Sequence, residues 1–421
     1  MARTLLSACW QRLGCRRGQP HDLYVGSSYN RLVNVPRLDY ASMPEHRTWA
    51  EISLDVLRDN FRAIQQHVGA EVAICAVVKA DAYGHGVVEC ARALESAGAQ
   101  WLGVTDAAEG LVLRSAGLKA RILLVTGMWK GEEDLIVSHH LTPTVWEPWH
   151  IQLLEKAARK RDAILPVHLK LDTGMNRLGA SKDAWPNLFG ALANSQHLRL
   201  EGVSTHFATV LNSQKTSQQV TLFEEGLAAL RGEGLWPTLV HMANSAAISG
   251  RPETWKTMVR PGIALYGYSR PDYSQPATHE EQASDIVPAV RPVLAWKTRV
   301  IALKQVSAGQ AIGYGGTFVA KEQCRIAVLP VGYADGFHRL LSNRGRVLVR
   351  GEYAPVAGRV SMDLTTSDVS HIPNVEVGDE VVLIGESNDK VIDAREHARL
   401  CETIPYEILC GLSQRVPRVY L

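Results

Sequence analysis

The sequence predicts a (β/α)8 barrel of the TIM type followed by an antiparallel β domain. Three observations carry that reading. Eight short apolar runs alternate with stretches of helical periodicity, beginning near Trp49. Polar and glycine residues cluster just beyond several of those runs, where a core would take aliphatic ones. After Pro288 the text changes to short alternating strands separated by turns rich in Gly, Pro and Asn. A chain of 421 residues is long enough for two such domains.

Regular text starts with Ser53, placed to cap a helix that carries Leu57, Phe61, Ile64 and Val68 on one face. Residues 72–79 then form a compact apolar run bounded by Gly-containing turns, which reads as a buried parallel strand. Val87, Val88, Ala91 and Leu94 make a helical stripe that stops at Gly98, a C′ residue. Further strands are predicted to begin near Trp101, Arg121, Leu141, Leu165, Leu200, Leu239 and Thr257. Helical periodicity fills most of the intervals, for example 151–160 and 218–230. Alternation of this kind predicts a closed parallel barrel; a doubly wound open sheet would be signalled by G-x-G-x-x-G after the first strand, and none stands there. Residues 293–306, 324–333, 345–351, 354–363 and 379–385 read as strands of an antiparallel, barrel-like domain. The segment 270–287, rich in Pro, Ser and charge, marks the boundary. The predicted organisation is thus an extension over 1–47, a barrel over 48–287 and a β domain over 288–421.

Composition excludes several classes of function. A net charge of +2 without any like-charge run gives no electrostatic case for nucleic acid. No apolar run approaches the ~20 residues that span a bilayer. The seven cysteines, Cys9, Cys15, Cys75, Cys90, Cys324, Cys401 and Cys410, include no C-x-x-C pair. They read neither as a disulfide framework nor as a zinc site, so a reducing compartment such as the cytoplasm is expected and no metal. His139 and His140 are adjacent and have no evident third ligand. The first 21 residues are rich in arginine and lack acids until Asp22, as a mitochondrial transit peptide would; a disordered extension is the alternative.

In a (β/α)8 barrel the active site lies at the C-terminal ends of the strands. Reading those ends in order gives Lys79, Lys170 to Arg177, His206, Asn244-Ser245 and Arg260 to Ile263. Lys79 closes the first run. An amine turned inward there is desolvated and made nucleophilic, whereas a lysine judged alone at a strand end more often snorkels to solvent.

The segment Val77-Val-Lys79-Ala-Asp-Ala-Tyr83-Gly-His-Gly86 closely resembles the cofactor-lysine motif of the pyridoxal phosphate (PLP)-dependent alanine racemases. The resemblance continues in order through Asp172-Thr-Gly-Met-Asn-Arg177-Leu-Gly, Thr205-His206-Phe-Ala, Asn244-Ser245-Ala and Arg260-Pro-Gly262-Ile263. Gly313-Tyr314-Gly, Gly332-Tyr333-Ala-Asp-Gly and Gly358-Arg-Val-Ser-Met362-Asp363 complete it, so that it covers the chain from about Trp49 to its end. It implies interconversion of L- and D-alanine, with Lys79 carrying PLP as a Schiff base. Ser245, Gly262, Ile263, Tyr83 and Tyr406 are implied for the cofactor phosphate, and His206 and Arg260 for the rest of the cofactor site. An arginine opposite the pyridine nitrogen only donates, so the ring stays unprotonated and is a weaker electron sink, which favours simple proton removal and return.

Racemisation needs a base on each face of the α-carbon. The resemblance names Lys79 and Tyr314, the latter arriving from the second subunit of a homodimer, with His206 and nearby arginines tuning the phenol. Arg177 is implied for the substrate carboxylate, joined by the Met362 backbone amide of the partner chain. Tyr333 and Tyr406 would narrow the entrance to favour a methyl side chain, and Lys170 matches a position often carbamylated. Ser361 stands where the family often has cysteine, a departure of little consequence if the loop contact is a backbone amide. The alternatives are a racemase acting on serine or on a wider range of amino acids, a PLP-carrying binding protein without turnover, and a decarboxylase or aldolase of related fold.

Overall fold

Ser53 caps the first helix as its position suggests: its Oγ accepts from the Val56 amide at 3.3 Å, and Leu57, Phe61, Ile64 and Val68 of Leu54–Val68 are all buried. The computed structural model describes residues 46–269 and 288–421, so the arginine-rich leader and the segment 270–287 lie outside the described residues. The first strand, β1 (Thr48–Ile52), precedes this helix.

Eight parallel strands follow: β2 (Ala73–Val77), β3 (Trp101–Val104), β4 (Arg121–Leu124), β5 (Leu141–Val145), β6 (Leu165–Lys170), β7 (Leu198–Ser204), β8 (Leu239–His241) and β9 (Met258–Val259). They pair in chain order from β2 to β8, and β9 pairs back onto β2 through Ala73↔Met258 and Ile74↔Val259. The last seam, between β8 and β9, is closed by single contacts. The Thr257 amide donates to Val240 O at 3.2 Å, the Arg260 amide to Ala243 O at 2.9 Å, and Asn244 bridges Arg260 in parallel. Strands of a parallel barrel are covered on both faces, and apolar residues at β2, β3 and β5 accordingly bury nearly their whole length.

The remaining strands are β10 (Leu294–Arg299), β11 (Ala302–Val306), β12 (Ala311–Ile312), β13 (Phe318–Val319), β14 (Cys324–Leu329), β15 (Arg346–Val349), β16 (Glu352–Pro355), β17 (Thr365–Asp368), β18 (Glu380–Ser387), β19 (Lys390–Ile392) and β20 (Arg418–Tyr420). The main sheet runs β16-β15-β18-β10-β1-β20 without closing, and β11-β14-β17 form a second sheet. Three differences from the sequence reading have local causes. The stretch 293–306 divides after Arg299, so that β10 and β11 enter different sheets. The stretch 354–363 is extended only to Pro355, because Gly358 turns left-handed at φ +91° and starts a loop that carries Met362. β1 pairs antiparallel with β10 and parallel with β20, placing it in the sheet of the C-terminal residues.

Buried Asn60 ties the two parts together. Its Nδ2 donates to Leu265 O and Arg291 O at 2.8 Å each, and its Oδ1 accepts from the Arg291 amide at 2.9 Å. Gly267 lies at the same junction with φ +101°, and a Cβ there would sit 2.3 Å from Arg291 O. Gly267→Ala is therefore expected to cost about 2–4 kcal/mol, through both the left-handed backbone and the clash. Denaturant unfolding monitored by circular dichroism measures it; a midpoint unchanged from the parent would contradict the tight junction.

Candidate active site

A cavity of about 550 Å³ opens at the C-terminal ends of the barrel strands. Lys79, the first residue after β2 and Val78, borders it and starts the turn Lys79–Tyr83. Ala80, Asp81, Ala82 and Tyr83 all take φ between 52° and 54°. Left-handed backbone costs roughly 1–2 kcal/mol per residue with a side chain, so such a turn must be held from outside. Glu109 holds it: Oε1 accepts from the Ala80 amide at 2.8 Å and Oε2 from the Thr105 amide at 2.7 Å. Asp81 accepts from the Val87 amide at 2.7 Å, and Arg418 Nε donates to Gly84 O at 2.9 Å. Gly84 itself lies so close to the C-terminal helix Pro405–Cys410 that a Cβ would be 2.3 Å from Leu409 O. That helix puts Tyr406 and Cys410 into the cavity wall. Burial lowers the pKa of Lys79, the nearby Arg177 charge adds to this, and Glu109 opposes it.

Arg260 is buried at the barrel seam. NH1 donates to His241 O at 2.8 Å and lies 2.9 Å from His241 Nδ1; NH2 donates to Thr205 O at 2.8 Å and Met242 O at 3.1 Å. Burial brings its pKa down to about 10. His206 Nδ1 lies 3.5 Å from Arg260 NH2; burial first, then the charges of Arg260 and Lys170, hold this imidazole neutral with a pKa of about 3. Its loop is pinned by Gln219, which donates to His206 O at 3.1 Å and accepts from the Ala208 amide at 2.9 Å. Lys170 ends β6, makes no ion pair among the described residues, and has its pKa lowered to about 8 by burial and by Arg260, Arg177 and Lys79. Arg177 follows a loop that Asp172 organises by accepting from the amides of Gly174, Met175 and Asn176.

Across the mouth, Ser245 Oγ accepts from the Gly262 amide at 2.8 Å and the Ala264 amide at 3.2 Å, leaving its hydroxyl hydrogen to be donated. A Cβ on Gly262 would lie 2.3 Å from Tyr83 Oη, so glycine is what lets this phenol reach the same spot. Ile263, Tyr83 and Tyr406 border the cavity beside them, the two tyrosine rings 5.9 Å apart.

Three predicted site residues lie elsewhere. Tyr314, Tyr333 and Met362 do not line the cavity and are exposed, at 72%, 44% and 53%. Their loops are joined to one another. Asn343 Nδ2 donates to Thr317 Oγ1 at 3.0 Å and its Oδ1 accepts from the Gly358 amide, while the Tyr333 amide donates to Ser361 O at 3.1 Å. Ser361 Oγ bonds within its own turn, to Leu364 O at 2.8 Å and from the Leu364 amide at 3.1 Å. Sequence reading missed Glu109, Gln219 and Asn343. A signal existed for the first alone: Asp106-x-x-Glu109 has the spacing of a capping box, and Asp106 does cap that helix.

Residues 52–270 match the family model of the alanine racemase N-terminal domain, and residues 293–420 that of its C-terminal domain. The chain belongs to the alanine racemase family. It is 43% identical to the alanine racemase of Syntrophobacter fumaroxidans over 369 residues, covering 87% of this chain and 96% of that protein. The Halothermothrix orenii enzyme is 42% identical, over 89% of this chain and 96% of that protein. Among solved structures, the alanine racemase of D-cycloserine-producing Streptomyces lavendulae superposes with a TM-score of 0.82 at 35% identity, covering 90% and 98% of the two chains. The Bartonella henselae enzyme, solved with covalently bound pyridoxal phosphate, superposes at 0.79 and 28% identity, covering 90% of this chain and all 100% of that one.

Alanine racemases are PLP-dependent isomerases that interconvert L- and D-alanine, and the residues here fit that cofactor. A lysine amine with lowered pKa, a hydroxyl and amide cradle around Ser245 and Gly262, and a donor-only arginine all face one cavity. The cavity has the size of a small-molecule site. No group of three His, Cys, Asp or Glu that could hold a metal occurs among the described residues, and none of their helices is long and apolar enough to cross a membrane.

Proposed function

We propose that this alanine racemase works as a homodimer, its site completed across the interface by the partner subunit's Tyr314, Tyr333 and Met362. The supporting observation is that the cavity of one chain offers Lys79 on one side, while Tyr314 stands exposed outside it on a braced loop. When bound, PLP supplies an aldehyde carbon for amine linkage and a conjugated ring that stabilises negative charge at the substrate α-carbon. Lys79 Nζ would hold the cofactor and would take or return the α-proton on one face. The partner subunit's Tyr314 Oη does so on the other. His206, neutral and accepting from Arg260 at Nδ1, carries its proton on Nε2, from which it donates to that phenol oxygen.

Arg260, an obligate donor, would face the ring nitrogen without protonating it. Ser245, Tyr83, Tyr406 and the Gly262 and Ile263 backbone hold the phosphate. Arg177 and the partner subunit's Met362 amide receive the substrate carboxylate, and Tyr406 with the partner subunit's Tyr333 restricts the side chain to a methyl group. The domains proposed are a barrel over 48–287 and a β domain over 288–421, with β1 in the sheet of the latter. The five described cysteines carry free thiols, which supports a cytoplasmic setting.

Lys170 is proposed to be carbamylated, its free amine adding to carbon dioxide with loss of a proton, so that an anion sits beside Arg177. With a pKa of about 8, Lys170 is an ammonium below that pH and a free amine above it. In 13C-bicarbonate a carbamate resonance should therefore grow as pH rises through about 8 and be missing in Lys170→Ala; an identical signal in both proteins would contradict the assignment.

The two-base arrangement is tested by exchange of the α-hydrogen with deuterated water, measured separately from L- and D-alanine. Tyr314→Phe should slow exchange from one enantiomer by about 100-fold or more while exchange from the other persists. Lys79→Ala should lose cofactor linkage and exchange from both. Equal, near-normal exchange of both enantiomers in Tyr314→Phe would refute the second base.

A further inference from the structure

Barrel interiors are ordinarily filled with branched aliphatic side chains. Beneath this cavity a line of polar groups instead descends through the barrel. Arg260 NH1 lies 2.9 Å from His241 Nδ1, and His241 Nε2 lies 2.8 Å from His168 Nδ1. His168 Nε2 then faces Glu201 Oε2 at 3.8 Å, beyond hydrogen-bond distance. Glu201 accepts from Arg121 NH1 and NH2, at 2.8 and 2.5 Å, and from Arg199 NH2 at 3.3 Å. Both histidines and Glu201 are buried. The line is built into the packing. A Cβ on Gly202 would lie 2.6 Å from the His168 ring, and the Trp101 ring lies 4.0 Å from the Arg121 guanidinium and 5.3 Å from the His168 ring.

Its direction follows from donor inventory. Arginine only donates, so His241 Nδ1 must accept and the His241 proton sits on Nε2. That proton is donated to His168 Nδ1, so the His168 proton sits on Nε2, toward the carboxylate. Every other neutral assignment sets two N–H groups, or two lone pairs, face to face in a buried place, at the cost of unsatisfied buried polar groups. Burial keeps both imidazoles neutral, and Glu201 stays ionised: burial would raise its pKa, but His168 and Arg121 hold it down at about 2.

We infer that Glu201 and His168 are positioning residues for racemisation, forming with His241 a one-way proton-ordered relay that keeps the Arg260 guanidinium seated against the cofactor ring nitrogen. The inference rests on the assignment of Arg260 to that nitrogen. Glu201 and His168 lie outside the cavity lining, whereas His241 and Arg260 border it, so the two act through His241 and Arg260. Glu201→Gln is the discriminating change, because an amide offers one acceptor and one donor where the carboxylate accepts at both oxygens. Whichever way Gln turns, its NH2 meets a donor on Arg121 or the N–H of His168. Relief at His168 moves its proton to Nδ1 and passes the conflict to His241 and Arg260.

Neutron diffraction of the wild-type holoenzyme in deuterated solvent should place deuterium on Nε2 of His241 and of His168 and on neither Nδ1; deuterium on His241 Nδ1 would overturn the relay, and this measurement needs no variant to fold. Glu201→Gln should lower kcat by about tenfold with KM within about twofold, and shift the absorption band of the bound cofactor. Glu201→Asp, with two acceptor oxygens, should retain the wild-type band. A role in folding alone would lower the melting temperature yet leave the band and the kcat-to-KM split unchanged in folded protein, and would overturn the inference. Arg260→Lys separates the two levels. If it shifts the band and Glu201→Gln does not, the relay inference fails while the Arg260 assignment stands; if neither shifts it, the Arg260 assignment itself fails.

Discussion

Burial of the Arg260 guanidinium at the seam where the barrel closes sets terms that the surrounding structure has to meet. A cation taken out of water without compensation costs several kcal/mol. Compensation here comes from the carbonyls of Thr205, His241 and Met242 and from a neutral imidazole, with no carboxylate among the described residues paired to it. The same residue's backbone amide helps to close the β8–β9 seam. Fold closure and site electrostatics thus meet in one residue. Because carbonyls rather than an acid satisfy it, Arg260 keeps its charge for the cavity, where it helps to keep His206 neutral and to lower the pKa of Lys170. Set against the cofactor ring nitrogen as proposed, an obligate donor would favour proton transfer over chemistry that needs a protonated ring.

The second constraint is the left-handed turn after Lys79. Four successive residues in that region would unwind in isolation. They are held by Glu109 from the next βα unit and by Arg418 and Leu409 from the end of the chain. The C-terminal residues therefore do two things at once: β20 pairs with β1, and the helix Pro405–Cys410 presses Tyr406 into the cavity wall. The role proposed for Lys79, an amine both linked and released, is better served by a braced turn than by a mobile loop.

Much of this architecture is legible in the amino-acid sequence. The starts of the eight barrel strands and the buried face of the first helix follow from apolar period and bounding glycines. Lys79, Lys170, His206, Ser245 and Arg260 stand out as polar residues at strand ends, and they share one cavity. Partners remote in sequence are what escape such a reading. Gln219 acts on the backbone of His206, 13 residues away, but reads as ordinary helix surface; Glu109 has capping-box spacing to Asp106, which does not reveal that it also holds Ala80, 29 residues away. His168 sits inside the apolar run Leu165–Lys170 and Glu201 inside Leu198–Ser204, where each reads as a break in pattern; only the barrel cross-section brings them together with His241. β1 carries no mark that its partners lie at the far end of the chain.

The exposed side chains of Tyr314, Tyr333 and Met362 have a sharp consequence, since a site divided between subunits can be repaired by mixing broken ones. Lys79→Ala and Tyr314→Phe chains would each be inactive as homodimers. In a mixed dimer related by a twofold axis, one site collects both lesions and the other neither. After subunit exchange of equal amounts, racemase activity should return to about one quarter of wild type. If native mass spectrometry detects mixed dimers and chiral chromatography finds no recovery, the second base does not come from the partner and the shared site is refuted.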